Sequence, residues 1–169
     1  MPTLVLLRHL KSSWDDAGLA DHDRPLAPRG VRAGERIRRH LEEAGASPQL
    51  VLCSSAVRAV ETWEAVRSGL TGDGELAIED GLYAASAESL LERLNAVPDP
   101  VAAVLLIAHN PGIGDLAVGL AGSGDGDALE RMAEKYPTGG LATLTFAGPW
   151  AALGPKGAEL RGFVVPREL

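Results

Sequence analysis

The chain has 169 residues, of which 46% are hydrophobic and 23% charged, and this suits one domain with a sizeable core. Its net charge of −7 argues against a general nucleic-acid surface, and its apolar runs are far too short to cross a bilayer. Cys53 is the only cysteine, so no intramolecular disulfide forms and a reducing cytoplasm is the expected location.

Taken in order, short apolar runs alternate with helical patterns. The start has no basic region ahead of its short apolar run, so no signal peptide is expected. Residues 3–7 read as a first strand, ending abruptly in Arg8 and His9. Val31, Gly34, Ile37, Leu41 and Ala44 recur at helical steps, with Gly45 as the stop. Residues 50–53 form a second strand, in which Cys53 reads as a small buried hydrophobe. Ala59, Trp63, Val66 and Leu70 mark a second helix, and residues 76–78 a weaker strand. Ser86 is placed to cap a third helix carrying Leu90, Leu91, Leu94 and Val97. Residues 101–108 are the clearest buried strand, with Asn110 and Pro111 as cap and first-turn proline of a fourth helix. The loop "AGSGDGD" leads to a short helical stretch, and residues 141–146 and 160–165 look like a closing hairpin pair at a sheet edge. This alternation predicts a three-layer α/β/α fold with a mostly parallel central sheet, as a single domain over residues 1–169.

In such sheets ligands bind beyond the carboxyl ends of the strands. Arg8 and His9 follow the first strand, Ser54, Ser55 and Arg58 the second, and His109 and Asn110 the fourth. Two guanidinium groups and helix amino termini suit a tetrahedral dianion. A cation in a helix's first turn, as Arg58 would be, costs roughly a few tenths of a kcal/mol, and a bound anion reverses that sign. A neutral imidazole can attack phosphorus in line and carry the phosphoryl group; a second, if protonated, can share charge on the equatorial oxygens. The separation of His9 from His109 matches no local zinc pattern, and adjacent arginines would repel a cation, so no metal is expected.

The blocks "LLRHLKSSW", "DHDRPLAPRG", "LCSSAVRAVETWE", "LIAHNPGIGDLA" and "KYPTGGLATLTF" resemble, in this order, those of the histidine phosphatase superfamily, whose fold is phosphoglycerate mutase-like. The nearest group is the SixA-type phosphohistidine phosphatases, and the resemblance runs from about residue 3 to residue 147. It implies a cofactor-free, cytoplasmic phosphatase with His9 as nucleophile and Arg8, Arg58 and His109 holding the phosphoryl group. Arg24 would be a further anion contact at the rim. Asp21 stands where the SixA group tends to carry an acid, with Asp23, Glu79 and Asp80 as competing proton donors. His22, Trp14 and Tyr136 are candidates for the rim or entrance, and Lys11, Ser12 and Ser13 for assisting the pocket. His40 falls on the polar face of its helix.

Leu10 departs from the Gly or Ala usual after the histidine and would narrow the pocket. Ala56 replaces a common proline and Glu61 a common glutamine. The short chain lacks the insertions that roof larger members, which favours phosphohistidine on a partner protein as substrate. A small-molecule phosphomonoesterase is the alternative, and a catalytically silent phosphate- or phosphoprotein-binding module a third. Neither nucleic acid nor membrane is an expected partner.

Overall fold

The computed structural model describes residues 1–169. The first strand, β1 (Thr3–Arg8), is followed by α1 (Pro28–Glu43), β2 (Leu50–Ser54), α2 (Val57–Val66), β3 (Glu75–Glu79) and α3 (Ala87–Asn95). Then come β4 (Ala103–Ala108), α4 (Gly112–Leu120), β5 (Ala121–Gly124), α5 (Ala128–Glu134), β6 (Leu141–Phe146) and β7 (Ala158–Val164). All seven strands join one sheet in the order β3-β2-β4-β1-β6-β7-β5. Only β6 runs against its neighbours, so the sheet is mostly parallel and the expected α/β class holds.

Alternation along the central strands divides the core between two faces. Leu4 and Leu6 of β1, with Val104, Leu106 and Ala108 of β4, point to one face. There they meet Leu90 and Leu94 of α3 and Ile113, Leu116 and Leu120 of α4. Leu7, Leu105 and Ile107 point to the other, against Ile37 and Leu41 of α1 and Ala59 and Val66 of α2. Cys53 is fully buried in this second core, and burial pushes its thiol up to about 12, as befits a small hydrophobe.

Local signals set the helix starts. Ser86 Oγ accepts from the Ser89 N–H at 3.1 Å, the expected cap of α3. Asn110 Oδ1 accepts from the Gly114 N–H at 3.1 Å, while Pro111 lies one position ahead of α4 rather than inside it.

The structure corrects three expectations. The buried face of α1 runs through Gly30, Gly34, Ile37 and Leu41, and Val31 is exposed. The segment "AGSGDGD" is not all loop: Ala121–Gly124 forms β5, pairing in parallel with β7. Consequently β6 and β7 do pair antiparallel, but they do not form the edge. Hydropathy cannot reveal β5, because its small residues are set by close approach. A Cβ at Gly122 would overlap the Lys156 carbonyl, and one at Gly124 would press on Leu129 and Leu160.

Leu10 does not narrow any pocket. It is fully buried in the core under α1, and Gly34 opposite leaves room for it, since a Cβ there would come within 2.9 Å of a Leu10 methyl group. We therefore expect Leu10→Ala to lower the unfolding free energy by about 2–5 kcal/mol, the usual cost of emptying a leucine site, as read by chemical denaturation. A stability change close to zero would show that the side chain is not packed there.

Candidate active site

Strand register brings the first groups together. Arg8 of β1 lies opposite Ala108 of β4, and the His9 N–H donates to the Ala108 carbonyl at 3.1 Å. His9 and His109 therefore leave adjacent parallel strands at one level, with ring centroids 5.0 Å apart. Across β4, Cys53 of β2 pairs with Ile107, so Ser54 reaches the same level.

Hydrogen bonds fix both rings. His9 Nδ1 lies 2.7 Å from the Leu10 carbonyl oxygen, which can only accept. Nδ1 therefore carries the proton, and the lone pair is on Nε2, which has no protein partner. His109 Nε2 lies 2.7 Å from Ser54 Oγ, which also accepts from the Ala56 N–H at 3.2 Å. The Ser54 hydroxyl is thus placed to donate to Nε2, which leaves the neutral ring's proton on Nδ1. That Nδ1 is buried without a partner, and so is Arg8 Nε. Unsatisfied buried groups are rare in folded proteins, and an oxyanion or a water between the two would supply the missing acceptor.

Burial, more than any other cause, lowers the pKa of His9 to about 3 and that of His109 to about 4. Arg8 and Arg58 push both further in the same direction. Both imidazoles are therefore neutral near pH 7 in the free protein. Arg8 is steadied by donating from Nη1 to the Tyr136 carbonyl at 3.0 Å, and Asn110 Nδ2 donates to the same oxygen at 2.8 Å.

Arg58, the second residue of α2, is buried rather than turned out to solvent. Its Nη1 donates to the Asp21 carbonyl at 2.7 Å and its Nη2 to Asp21 Oδ2 at 3.0 Å. Tyr83 Oη donates to the same Oδ2 at 2.6 Å, and Arg24 Nη1 to Oδ1 at 2.9 Å. The Tyr83 hydroxyl first, then the two guanidinium groups, hold the Asp21 carboxyl well below the usual carboxylate range. In the free protein Asp21 is therefore an acceptor for these three side chains.

Arg24 also departs from its expected part. It is buried, and its three nitrogens are taken by the Ser13 carbonyl, Asp21 and Ser12 Oγ, while Trp14 stacks on the guanidinium at 3.3 Å. It braces the loop between β1 and α1 through these contacts. The other candidate acids are elsewhere occupied or exposed. Glu79 pairs with Arg93 at 2.8 Å, Asp23 faces His22 at 3.4 Å, and Asp80 is exposed.

His22 does sit at the rim, 2.9 Å from Ser55 Oγ and edge-on to Tyr83. Tyr136 is core, its hydroxyl donating to the Leu6 carbonyl at 2.6 Å. Tyr83 is the group that sequence reasoning missed. It meets Asp21, His22 and His109, with its ring edge-on to the His109 ring at 5.5 Å. The signal for it is its place just beyond the carboxyl end of the weak strand β3. No three His, Cys, Asp or Glu side chains are grouped to hold a metal ion.

Comparison with known proteins agrees with this arrangement. An uncharacterised protein of Mycobacterium tuberculosis (strain H37Rv) is 42% identical over 167 residues, covering 95% of this chain and all of the relative. An uncharacterised chloroplast protein of Arabidopsis thaliana is 32% identical over 179 residues, covering 96% of this chain and 77% of the relative. Among solved structures, a protein of Nakamurella multipartitia provisionally named phosphohistidine phosphatase SixA superposes with a TM-score of 0.85 at 29% identity, covering 98% of this chain and 96% of that one. Another of the same provisional name, from Agrobacterium tumefaciens, gives 0.80 at 27% identity, covering 98% and 99%. The sequence model of the histidine phosphatase superfamily (branch 1) matches residues 4–94, and with these relatives spanning nearly the whole chain, the protein belongs to that superfamily.

Proposed function

We propose that the protein is a phosphatase that forms a covalent phosphohistidine at His9, and that its substrate is phosphohistidine on a partner protein. The observation that carries this reading is the set of free atoms around the paired rings. His9 Nε2 has a lone pair and no partner, while His109 Nδ1 and Arg8 Nε are buried and unsatisfied. In the first step Nε2 attacks phosphorus in line, a new N–P bond forms, and the bond to the leaving group breaks with its electron pair. Arg8, Arg58 and the His109 N–H take up charge on the equatorial oxygens. Water then attacks the phosphorus of phospho-His9, the N–P bond breaks, and inorganic phosphate leaves with His9 restored.

The substrate class follows from the proton inventory. Cleaving an alkyl ester needs a donor for the departing oxygen, and the carboxylate nearest the site, Asp21, is held ionised. An imidazole departs more readily and depends less on such a donor. The SixA names borne by the Nakamurella and Agrobacterium proteins point to the same substrate class. The phosphomonoesterase reading keeps one supporting observation, the protonated Tyr83 hydroxyl beside His109.

Incubation with a phosphohistidine carrier protein and with aryl phosphate should give faster release from the former, and His9→Ala should reduce both by at least about a thousandfold. Undiminished release by the variant would remove His9 from the role of nucleophile.

Asp21→Asn keeps the shape but weakens the brace on Arg24 and Arg58. It should slow phosphohistidine and aryl ester hydrolysis by a similar factor, about tenfold, because orientation and not proton donation is lost. A loss confined to the ester would restore Asp21 as the donor.

Both rings should remain neutral in nitrogen NMR spectra at pH 6, where an ordinary histidine is mostly protonated. Because folding lowers these pKa values below 6.5, the unfolded chain binds the extra protons as pH falls. Stability should therefore decline from pH 6.5 towards 4, each ring contributing a slope of up to about 1.4 kcal/mol per pH unit. A flat stability profile in His9→Ala,His109→Ala beside a sloping wild type would confirm the source.

A further inference from the structure

A cleft of about 510 Å³ lies between α1, the segment following α5 and the C-terminal turn, and none of the imidazole-cluster residues lines it. Its charge is unlike that of the rest of the molecule. Half of the sixteen Lys and Arg side chains form ion pairs with carboxylates. Of the others, one is Arg8 and one is Lys156. The remaining six, Lys11, Arg29, Arg32, Arg36, Lys135 and Arg167, all line this cleft. The chain has 23 acidic residues, yet only Glu134 and Glu168 reach the cleft, and Glu168 is engaged with Arg131 at 3.1 Å.

Arg29, Arg32 and Arg36 follow one face of α1 over about 10 Å, at a rise of about 1.5 Å per residue. The first turn of α1 has no acidic residue, although an acid there would be stabilising. Six cations without a carboxylate partner in one concavity make a local positive field that several negative charges spread over a similar length would match.

The form of those charges can be read from the contrast with the catalytic cluster. Arg8 and Arg58, beside the imidazole pair, are held by hydrogen bonds to Tyr136 and Asp21, as tight chelation of one phosphate-like group requires. Arg29, Arg32, Arg36, Lys135 and Arg167 are exposed, and no hydrogen bond orients any of them. Mobile, dispersed cations suit carboxylates distributed along a polypeptide more than a compact polyphosphate. The cleft also adjoins the reacting end. Lys11 is two residues beyond His9, and Thr138 precedes Gly139, whose N–H donates to the Arg8 and His9 carbonyls at 3.0 Å.

We infer that this cleft docks an acidic segment of the phosphorylated protein substrate, an assignment that rests on the phosphoprotein reading given above. The test is the variant Arg29→Glu,Arg32→Glu,Lys135→Glu, in which two of the new acids fall near the start of α1, where they favour the helix. Aryl phosphate kcat/KM should change by less than about twofold, and kcat/KM for the phosphohistidine protein should fall by about tenfold or more, mainly through KM. In parallel, a fluorescein-labelled peptide rich in Asp and Glu should bind the wild type in low salt and lose that binding in the variant. Equal phosphoprotein kinetics in the two proteins, or peptide binding that survives the substitutions, would overturn the cleft assignment. So would tripolyphosphate, or vesicles containing phosphatidylserine, binding about tenfold more tightly than the peptide. Failure of the wild type on phosphohistidine protein, with aryl phosphate still hydrolysed, would instead overturn the substrate reading.

Discussion

The site depends on one constraint, the in-register parallel pairing of β1 with β4. Arg8 opposite Ala108 places His9 and His109 side by side at the ends of two adjacent strands in the middle of the sheet. A register shift of one residue would reverse the faces of Leu4, Leu6 and Leu7, moving each into the wrong core. Hydrophobic burial on both faces of the sheet therefore holds the catalytic geometry. The rings inherit a fixed separation without any bond between them, and the partners of each ring then determine which nitrogen is free.

Around that pair the arginines divide by what holds them. Arg24 is hydrogen-bonded at all three nitrogens and stacked by Trp14, contacts that hold the loop carrying Asp21. Arg58 is oriented by the backbone and side chain of that same residue. Arg8 keeps a buried unsatisfied Nε. Asp21 thus acts as a clasp between two cations that would otherwise repel. Its negative charge offsets part of the cost of burying them, and Tyr83 ties the clasp to the segment after β3. Removing one member of so dense a polar set leaves the others unpaired, which is why a change that preserves shape is more informative here than deletion.

What the sequence revealed and what it hid follow from the same physics. Strands buried on both faces leave continuous apolar runs, so β1, β2 and β4 and the polar residues at their ends were legible, and with them Arg8, His9, Arg58 and His109. β3 was weak and β5 invisible because their residues are largely exposed or small, and both had consequences. The missed end of β3 concealed Tyr83, and the missed β5 made β6 and β7 look like an edge. The setting of Asp21 was hidden for another reason. Spacing can place a carboxylate near a site, but its protonation depends on Tyr83 and Arg58, 62 and 37 residues away in sequence. Leu10 was read against the Gly or Ala usual in relatives, whereas its accommodation is set by Gly34 on the opposing helix.

Three successive residues show how closely core, reaction and surface are joined. His9 points into the imidazole pair, Leu10 into the core under α1, and Lys11 lines the basic cleft. The backbone between them is held from both sides. The Leu10 carbonyl accepts from the nucleophile's Nδ1, the Leu10 N–H donates to Thr62 Oγ1 of α2 at 3.0 Å, and the Lys11 carbonyl accepts from the Ala27 N–H at 2.9 Å. Gly30 of α1 has no room for a Cβ against that same Lys11 carbonyl. The helix that presents Arg29, Arg32 and Arg36 is thus seated directly on the segment that orients His9. A protein surface drawn to those cations is thereby brought to the loop that carries the nucleophile, so that in an acidic molecule the unpaired positive charge lies beside the chemistry.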